Sequence, residues 1–468
     1  MKNTRFFLTA VLMGLLFMAC SDDDQAPTPG ISISISETTF GEGDGTAVVT
    51  FSTTDAFAID VTLSYEVSGT AVSGEDYTAL PGTIVLGAGQ NSVTENIVFT
   101  DDNALEEDET IIITLTAVDG GPDFISLDNA ISLTIIDNDD PPFDDGILVV
   151  HEGGFFMGNA SVSFISNDLS TATNGIYSDV NGEPLGDIAQ SIAFDGDLAY
   201  IVVNNSQKIE VVNRFTFESV ATIDSGLLNP RYMVFADGKG YVSNWGDGLV
   251  TDDDYIAIID LENNTVESTI AVPEGPEEIV VSGNTIYVAH KGGFGQNNIL
   301  SAIDVTTGSI ETITVGDVPS AMQFDVNGNL WVLCSGIPAF TGNETGGSLF
   351  VVDTMDNAVV DSFDFATTEH PDHLSLVEGT LYYFLAGEVY AEDVSGFSTL
   401  PQSPIISNVS FYDMTVNDGL LYGTDAKDFA SDGDLVIYNL SDNTLVDTIT
   451  LSIVPSEVYF NDVAPFEN

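Results

Sequence analysis

Between Ala189 and Phe460 one short frame recurs at a spacing of roughly 40–50 residues, the period of stacked repeat architectures. Pro276-Glu-Glu-Ile-Val-Val-Ser-Gly-Asn-Thr-Ile-Tyr-Val288 lines up with Pro230-Arg-Tyr-Met-Val-Phe-Ala-Asp-Gly-Lys-Gly-Tyr-Val242. The spans Pro319 to Val332, Pro371 to Tyr383, Phe411 to Tyr422 and Ala189 to Ile201 repeat it, and Pro455 opens a last partial copy. Each frame is two apolar runs around a Gly turn. A second hairpin follows most of them, as in Tyr255 to Ile270, Lys208 to Ile223, Leu300 to Val315, Leu349 to Phe365 and Leu435 to Leu451, while Gly387 to Leu400 is a degenerate copy. Four strands per repeat, radially arranged, predict a β-propeller. The frames count to seven blades: six between Ala189 and about Leu451, and a seventh split between Pro455 to Phe460 and Ile147 to Tyr177. Pairing the two ends in one sheet closes the ring and removes an exposed edge. Six or eight blades follow if the weak repeat near Tyr382 is read differently.

Residues ahead of the repeat are β-rich without it. Ile31 to Ile35, Ala47 to Phe51, Val61 to Val67, Ile84 to Leu86, Asn96 to Thr100, Ile111 to Thr116 and Ile131 to Ile136 read as about seven strands of an immunoglobulin-like sandwich. Pro141 and Pro142 cannot continue a central strand, which places a domain boundary there. The expected class is therefore all-β. The organisation is a signal peptide (1–20), an acidic, proline-containing tether (21–30), the sandwich (31–140), a linker (141–145) and the propeller (146–468).

Lys2 and Arg5 precede an apolar run from Phe6 to Ala19, too short to span a bilayer comfortably and suited to a signal peptide. Leu16-Phe17-Met18-Ala19-Cys20 resembles a bacterial lipobox, which implies lipidation at Cys20. Ser21-Asp22-Asp23-Asp24 resembles the acidic surface-export signal of lipoproteins in Bacteroidetes-type bacteria, which implies an outer-membrane, surface-exposed location with the lipid as the membrane contact. An acidic tether would carry the same residues. The other cysteine, Cys334, sits in Leu330-Trp331-Val332-Leu333-Cys334 and reads as a small core hydrophobe.

The chain carries 73 acidic against 8 basic residues, a formal charge of −65. Phosphate recognition needs clustered Lys and Arg, so nucleic acid is excluded as a partner. A hydrophobic fraction of 44% is too high for a disordered acidic chain. The four histidines are His151, His290, His370 and His373; no nucleophile elbow, phosphate loop or zinc motif accompanies them, so no catalytic residue is assigned and a non-enzymatic role is expected.

The sandwich region resembles the Calx-beta family through Glu42-Gly-Asp-Gly45, Gly69-Thr-Ala71, Glu75-Asp-Tyr77, Asp101-Asp102, Glu106-Glu-Asp-Glu109 and Ile136-Asp-Asn-Asp139. The resemblance implies Ca²⁺ as cofactor, held by Glu42, Asp76, Asp101, Asp102, Glu106, Glu109, Asp137 and Asp139. Carboxylates converging from strand ends match what Ca²⁺ requires, and no Lys or Arg lies between residues 31 and 140 to neutralise them. A solvated acidic rim without a tight site is the plainer alternative.

In the propeller, the connections between second and third strands are expected to share one face. They hold Phe155, Phe156, Trp245, Phe294, Phe340 and Phe429 among Asn, Gln and Gly, a combination suited to a large, flat, partly apolar ligand. Packing of loops onto blades is the competing role for each ring. The strands Tyr241-Val-Ser-Asn244 and Tyr287-Val-Ala-His290 resemble those of surface-layer propellers. Val149-Val-His-Glu-Gly153, Tyr200-Ile-Val-Val-Asn204, Pro276-Glu-Glu278 and Asn329-Leu-Trp-Val332 resemble vitamin B12-capturing surface lipoproteins that sit over TonB-dependent transporters. The resemblance implies a corrinoid or similar macrocycle as ligand and such a transporter as partner, with Asn204 and His290 added to the binding set. An adhesin binding protein or glycan on a calcium-stiffened stalk is the second reading, and a propeller hydrolase or lyase the third.

Overall fold

The structure is a computed structural model that describes residues 30–102, 106–121, 127–128 and 130–461. The expected signal peptide, the Cys20 lipidation site and tether residues 21–29 lie outside the described residues. The chain divides into two compact units, 1–140 and 141–468. Among the described residues, no helix is long and apolar enough to cross a membrane.

The first unit is a sandwich. One sheet runs in the order Ser92–Val98, Thr46–Thr53, Ile31–Ile35, Leu127–Asp128; the other runs Thr39–Gly41, Ala130–Ile136, Glu109–Asp119, Val61–Gly69, Thr83–Leu86. Alternation decides which face is inside: in Thr46–Thr53, Ala47, Val49, Phe51 and Thr53 point inward. They meet Leu63, Ile97, Ile111 and Leu133 from both sheets in one core. Two strands escape the sequence reading, Thr39–Gly41 and Leu127–Asp128, because two or three residues carry no readable period. The strand expected at Asn96 to Thr100 is Ser92–Val98, aligned along nearly the whole of Thr46–Thr53 with Ser52 opposite Ser92.

The second unit is seven four-stranded sheets. Their innermost strands, Ala189–Asp195, Pro230–Ala236, Pro276–Ser282, Pro319–Phe324, Asp372–Val377, Asp413–Asn417 and Pro455–Phe460, neighbour one another in sequence around a closed ring. Second strands lie inside each blade, covered on both faces by neighbouring blades, and are largely apolar, as in Thr285–His290 and Asn329–Cys334, where every residue after the first is buried. Outer strands such as Thr265–Ala271 face water and are polar.

The split blade pairs Pro455–Phe460 with Gly146–His151, followed by Ser161–Ser166 and Ala172–Thr173. Tyr177, expected at the end of this blade, lies instead in a short helix, Ile176–Asn181, where it is buried. Asn461 locks the closure: its side-chain amide donates to Phe143 O (2.6 Å) and Arg214 O (2.9 Å), and its Oδ1 accepts from Arg214 Nε (2.6 Å). The segment expected as a linker is thus partly core, with Phe143 edge-on to Phe164 and Phe217. The degenerate hairpin also differs from expectation. Its outer strand is only Ile406–Ser407, beyond Leu400, because a 3₁₀ turn at Val394–Gly396 and the following loop intervene.

Candidate functional site

A cavity of about 460 Å³ lies within the ring of inner strands. All seven of those strands line it, and Glu152 and Lys291 reach it from the starts of two second-to-third-strand loops. The pairing register shifts near the first residues of six inner strands. A bulge breaks the strict alternation of a strand and re-aims side chains. Consecutive residues therefore both line the cavity: Arg231 and Tyr232, Glu277 and Glu278, Asp372 and His373, Ser456 and Glu457.

An innermost strand is also a sheet edge whose free amides need partners. The preceding blade supplies them. Tyr459 Oη accepts from Ile192 N (2.9 Å), a Glu278 carboxylate oxygen from Met322 N (2.7 Å), and Ser375 Oγ from Val416 N (3.1 Å). Gln323 does the same for Leu376 N.

The cavity wall has mixed charge. Arg231 forms a two-point pair with Glu277 (2.7 and 3.0 Å), and its guanidinium lies 4.2 Å from the Trp245 ring centre. His373 Nδ1 is 3.1 Å from Asp413 Oδ1. Burial alone would lower this imidazole, but Asp372 and Asp413 outweigh it and raise it to about 9, so it is cationic at neutral pH. Glu457 is raised to about 8, first by burial and then by Asp413, against the hydroxyls of Tyr459 and Tyr232. Burial, and next Glu457, push Glu278 well above the carboxylate range. Among the described residues, neither Glu278 nor Glu457 has a Lys, Arg or His within ion-pair distance.

Glu152 accepts from Tyr412 Oη at 2.9 Å, and burial raises its carboxyl. The cavity did not emerge from the sequence reading. A usable signal was present, since the second and third positions of the frames are polar where a strand packed on both faces would be apolar.

The loop face does present aromatic rings. The second-to-third-strand connections at 152–160, 291–298, 335–347 and 426–431 carry five phenylalanines more than half exposed: Phe155, Phe156, Phe294, Phe340 and Phe429. Phe155 and Phe156 contact each other at 4.2 Å between ring centres, and Phe429 stands edge-on to Tyr412, which lines the cavity. Trp245 is less available: half-buried, it is held between Arg231 and Phe294. The Phe294 loop is pinned from below by Gly275, where a Cβ would lie 2.1 Å from Gly293 N.

Two expected binding residues are corrected. His290 is fully buried, with Nε2 2.8 Å from Ser301 Oγ and Nδ1 3.2 Å from Glu274 O. His151 pairs with Ser163 in the same way at 2.8 Å, so this is a repeated blade contact. Burial lowers both imidazoles to about 4 and keeps them neutral. Asn204 is buried and donates to Pro230 O at 3.0 Å. His370 turns to Ser335 O and Glu344, whereas His373 faces Asp413. Cys334 is buried, which pushes its thiol up to about 12.

At one end of the sandwich, the acids gather in two triads, Glu42–Asp137–Asp139 and Asp76–Glu106–Glu109, each offering oxygens within 4.8 Å of one another. Burial and then Asp76 raise Glu109 to about 7; Glu42 and Asp139 are raised by burial and then by Asp137. Glu109 Oε2 and Asp139 Oδ2 are buried without a hydrogen-bond partner among the described residues. Backbone N–H groups of Glu106 and Asp139 reach Asp137, and that of Val72 reaches Asp76, but the crowded carboxylate oxygens still outnumber these donors, which fits a hard divalent cation. Asp101 and Asp102 stand outside the triads. Asp101 Oδ1 accepts from Asn138 Nδ2 at 3.2 Å, and Asp102 raises Glu42 and Glu106 through its charge.

The Calx-beta domain family matches residues 22–139. An apo-form Calx CBD1 domain is 23% identical over 24% of this chain and 99% of its own, with a TM-score of 0.21. The full chain is similar to the dihydro-heme d1 dehydrogenase NirN in complex with DHE (16% identity, 69% of this chain and 77% of that one, TM-score 0.43). It is also similar to the Kuenenia stuttgartiensis hydrazine synthase (14% identity, 57% and 90%, TM-score 0.44). No curated protein matches. The family described as domain of unknown function DUF5074 matches residues 145–447, well over half of the 468 residues, so the chain belongs to the DUF5074 family and carries a Calx-beta domain ahead of its propeller.

Proposed function

We propose that this chain is a lipid-anchored capture protein of the outer-membrane surface, tethered through Cys20, whose propeller holds a ligand on its loop rim. The best candidate is a corrinoid such as vitamin B12, or a similar macrocycle, passed on to a TonB-dependent transporter. The reading is of binding without catalysis, with Ca²⁺ stiffening the sandwich.

The observation that supports it is the exposure of Phe155, Phe156, Phe294, Phe340 and Phe429 on loops of one face. Soluble proteins rarely present so many large apolar side chains together unless something covers them. Rings can lie against a macrocycle, while neighbouring amides such as Gln296 pair with its polar edge. The blades preform the rim, so little ordering opposes binding.

The test is titration calorimetry of cyanocobalamin against the whole Cys20→Ala chain in millimolar Ca²⁺. Saturable binding that changes little with salt is expected, because the ligand is nearly neutral. No heat and no change in melting temperature at high micromolar ligand would overturn the macrocycle reading in favour of an adhesin for protein or glycan.

A further inference from the structure

We propose that the propeller lumen is a second binding site, which takes a small organic molecule bearing a protonated amine. The inference rests on the cavity alone and stands whether or not the rim binds a macrocycle.

Size comes first. A volume of about 460 Å³ suits a small molecule. Charge then selects its class. Two of the three cations in the wall are already matched, Arg231 by Glu277 and His373 by Asp413. Among the described residues Lys291 alone has no ion-pair partner, which is too little to draw an anion into so acidic a chamber.

Glu278 and Glu457 come from two different blades, line the cavity and lack a cationic ion-pair partner among the described residues, while their charges act on each other. A buried carboxylate without a counter-charge is unfavourable, and an ammonium between the two relieves it. Tyr232 and Tyr459, hydrogen-bonded to Glu457, line the same wall and put aromatic side chains beside the position an ammonium would take. A metal ion fits less well. Among the described residues, the groups of three acids with oxygens within 4.8 Å occur only in the sandwich.

The test uses the whole Cys20→Ala chain in millimolar Ca²⁺, which saturates the sandwich, and calorimetry with cadaverine against a pentanediol of the same length. Cadaverine should bind saturably with one site and the diol should not. Glu278→Gln and Glu457→Gln preserve shape and should each weaken binding by about tenfold to a hundredfold, the value of a charge-assisted hydrogen bond.

A second measurement needs no variant. Burial raises both carboxyls and an ammonium stabilises their ionised form, so binding at neutral pH is expected to release protons, and the heat to change with the ionisation enthalpy of the buffer. Cadaverine binding equally to both variants would reduce the effect to the ion atmosphere of a chain of charge −65 and overturn the proposal. So would equal binding of the diol, competition by further Ca²⁺, or the absence of proton release.

Discussion

The pole of the sandwich and the lumen of the propeller are both dense in carboxylates, yet they are built to opposite ends. At the pole, acids from a 3₁₀ turn, a strand end and loops converge within 4.8 Å in two triads, and no Lys or Arg lies between residues 31 and 140. In the lumen, acids project from separate rigid blades and are interleaved with Arg231, Lys291, His373 and tyrosines. The first arrangement repels itself, and a compact divalent charge would relieve it. The second is partly neutralised within the protein and keeps open volume. The number of acids therefore says little; their convergence and the cations among them decide the chemistry.

The largest expected effect tests whether the lumen is a low-dielectric wall. Arg231→Ala strands Glu277, which is 4% exposed, and should lower stability by about 3–5 kcal/mol in urea unfolding. A loss near zero would mean the lumen behaves like the solvated pole, and the contrast would fail.

Calcium comes next. Ion binding to the folded sandwich alone adds about 2.7 kcal/mol at a hundredfold excess over Kd. Calorimetric scans should show one transition that rises in millimolar Ca²⁺ relative to chelator, with Asp76→Ala plus Asp137→Ala removing most of the rise. If the propeller transition moved instead, the metal would belong to the other acid set.

Without calcium, the pole should also respond to pH. Glu109 is raised from 4.5 to about 7, so the folded sandwich holds a proton that the unfolded chain has lost over that window. Stability present below about pH 4.5 is then lost as pH rises through 7. Melting of the chelated chain should therefore fall from pH 5 to pH 8, and Ca²⁺ should flatten the slope. An unchanged melting temperature across that range would remove Glu109 from the strained set.

The smallest effect on stability is expected at the rim. Phe294→Ala and Phe340→Ala should change stability by no more than about 0.5 kcal/mol, since both rings are mostly exposed. Each should weaken ligand binding by about 1–3 kcal/mol if it anchors the ligand. Trp245→Ala should instead cost stability, because its ring packs between Arg231 and Phe294.

The blades were legible because each repeats the same two-stranded frame, and a frame that cannot bury itself must stack. The acids of the pole were legible because they sit at strand ends in a recognisable order. Which of them form triads was not: Asp101 is drawn to Asn138, and that pairing joins residues far apart in the chain. His290 was misread because a histidine ending a strand beside a long loop looks exposed. Its serine partner lies one strand over, inside the blade.

The amino-acid order by itself determined the all-β class, the recurring frame and a leading count of seven blades with one split between the two ends of the repeat, because periodicity and turn residues are local properties; the seven four-stranded sheets of the structure set aside six and eight. Only the tertiary structure decided where the second and third residues of the frames, polar in all but Ala321, point. A register shift turns two neighbours toward the axis together, and closing the ring brings Glu278 and Glu457 into one chamber. No local pattern encodes a meeting between strands nearly two hundred residues apart, so the lumen becomes visible only once the ring is shut.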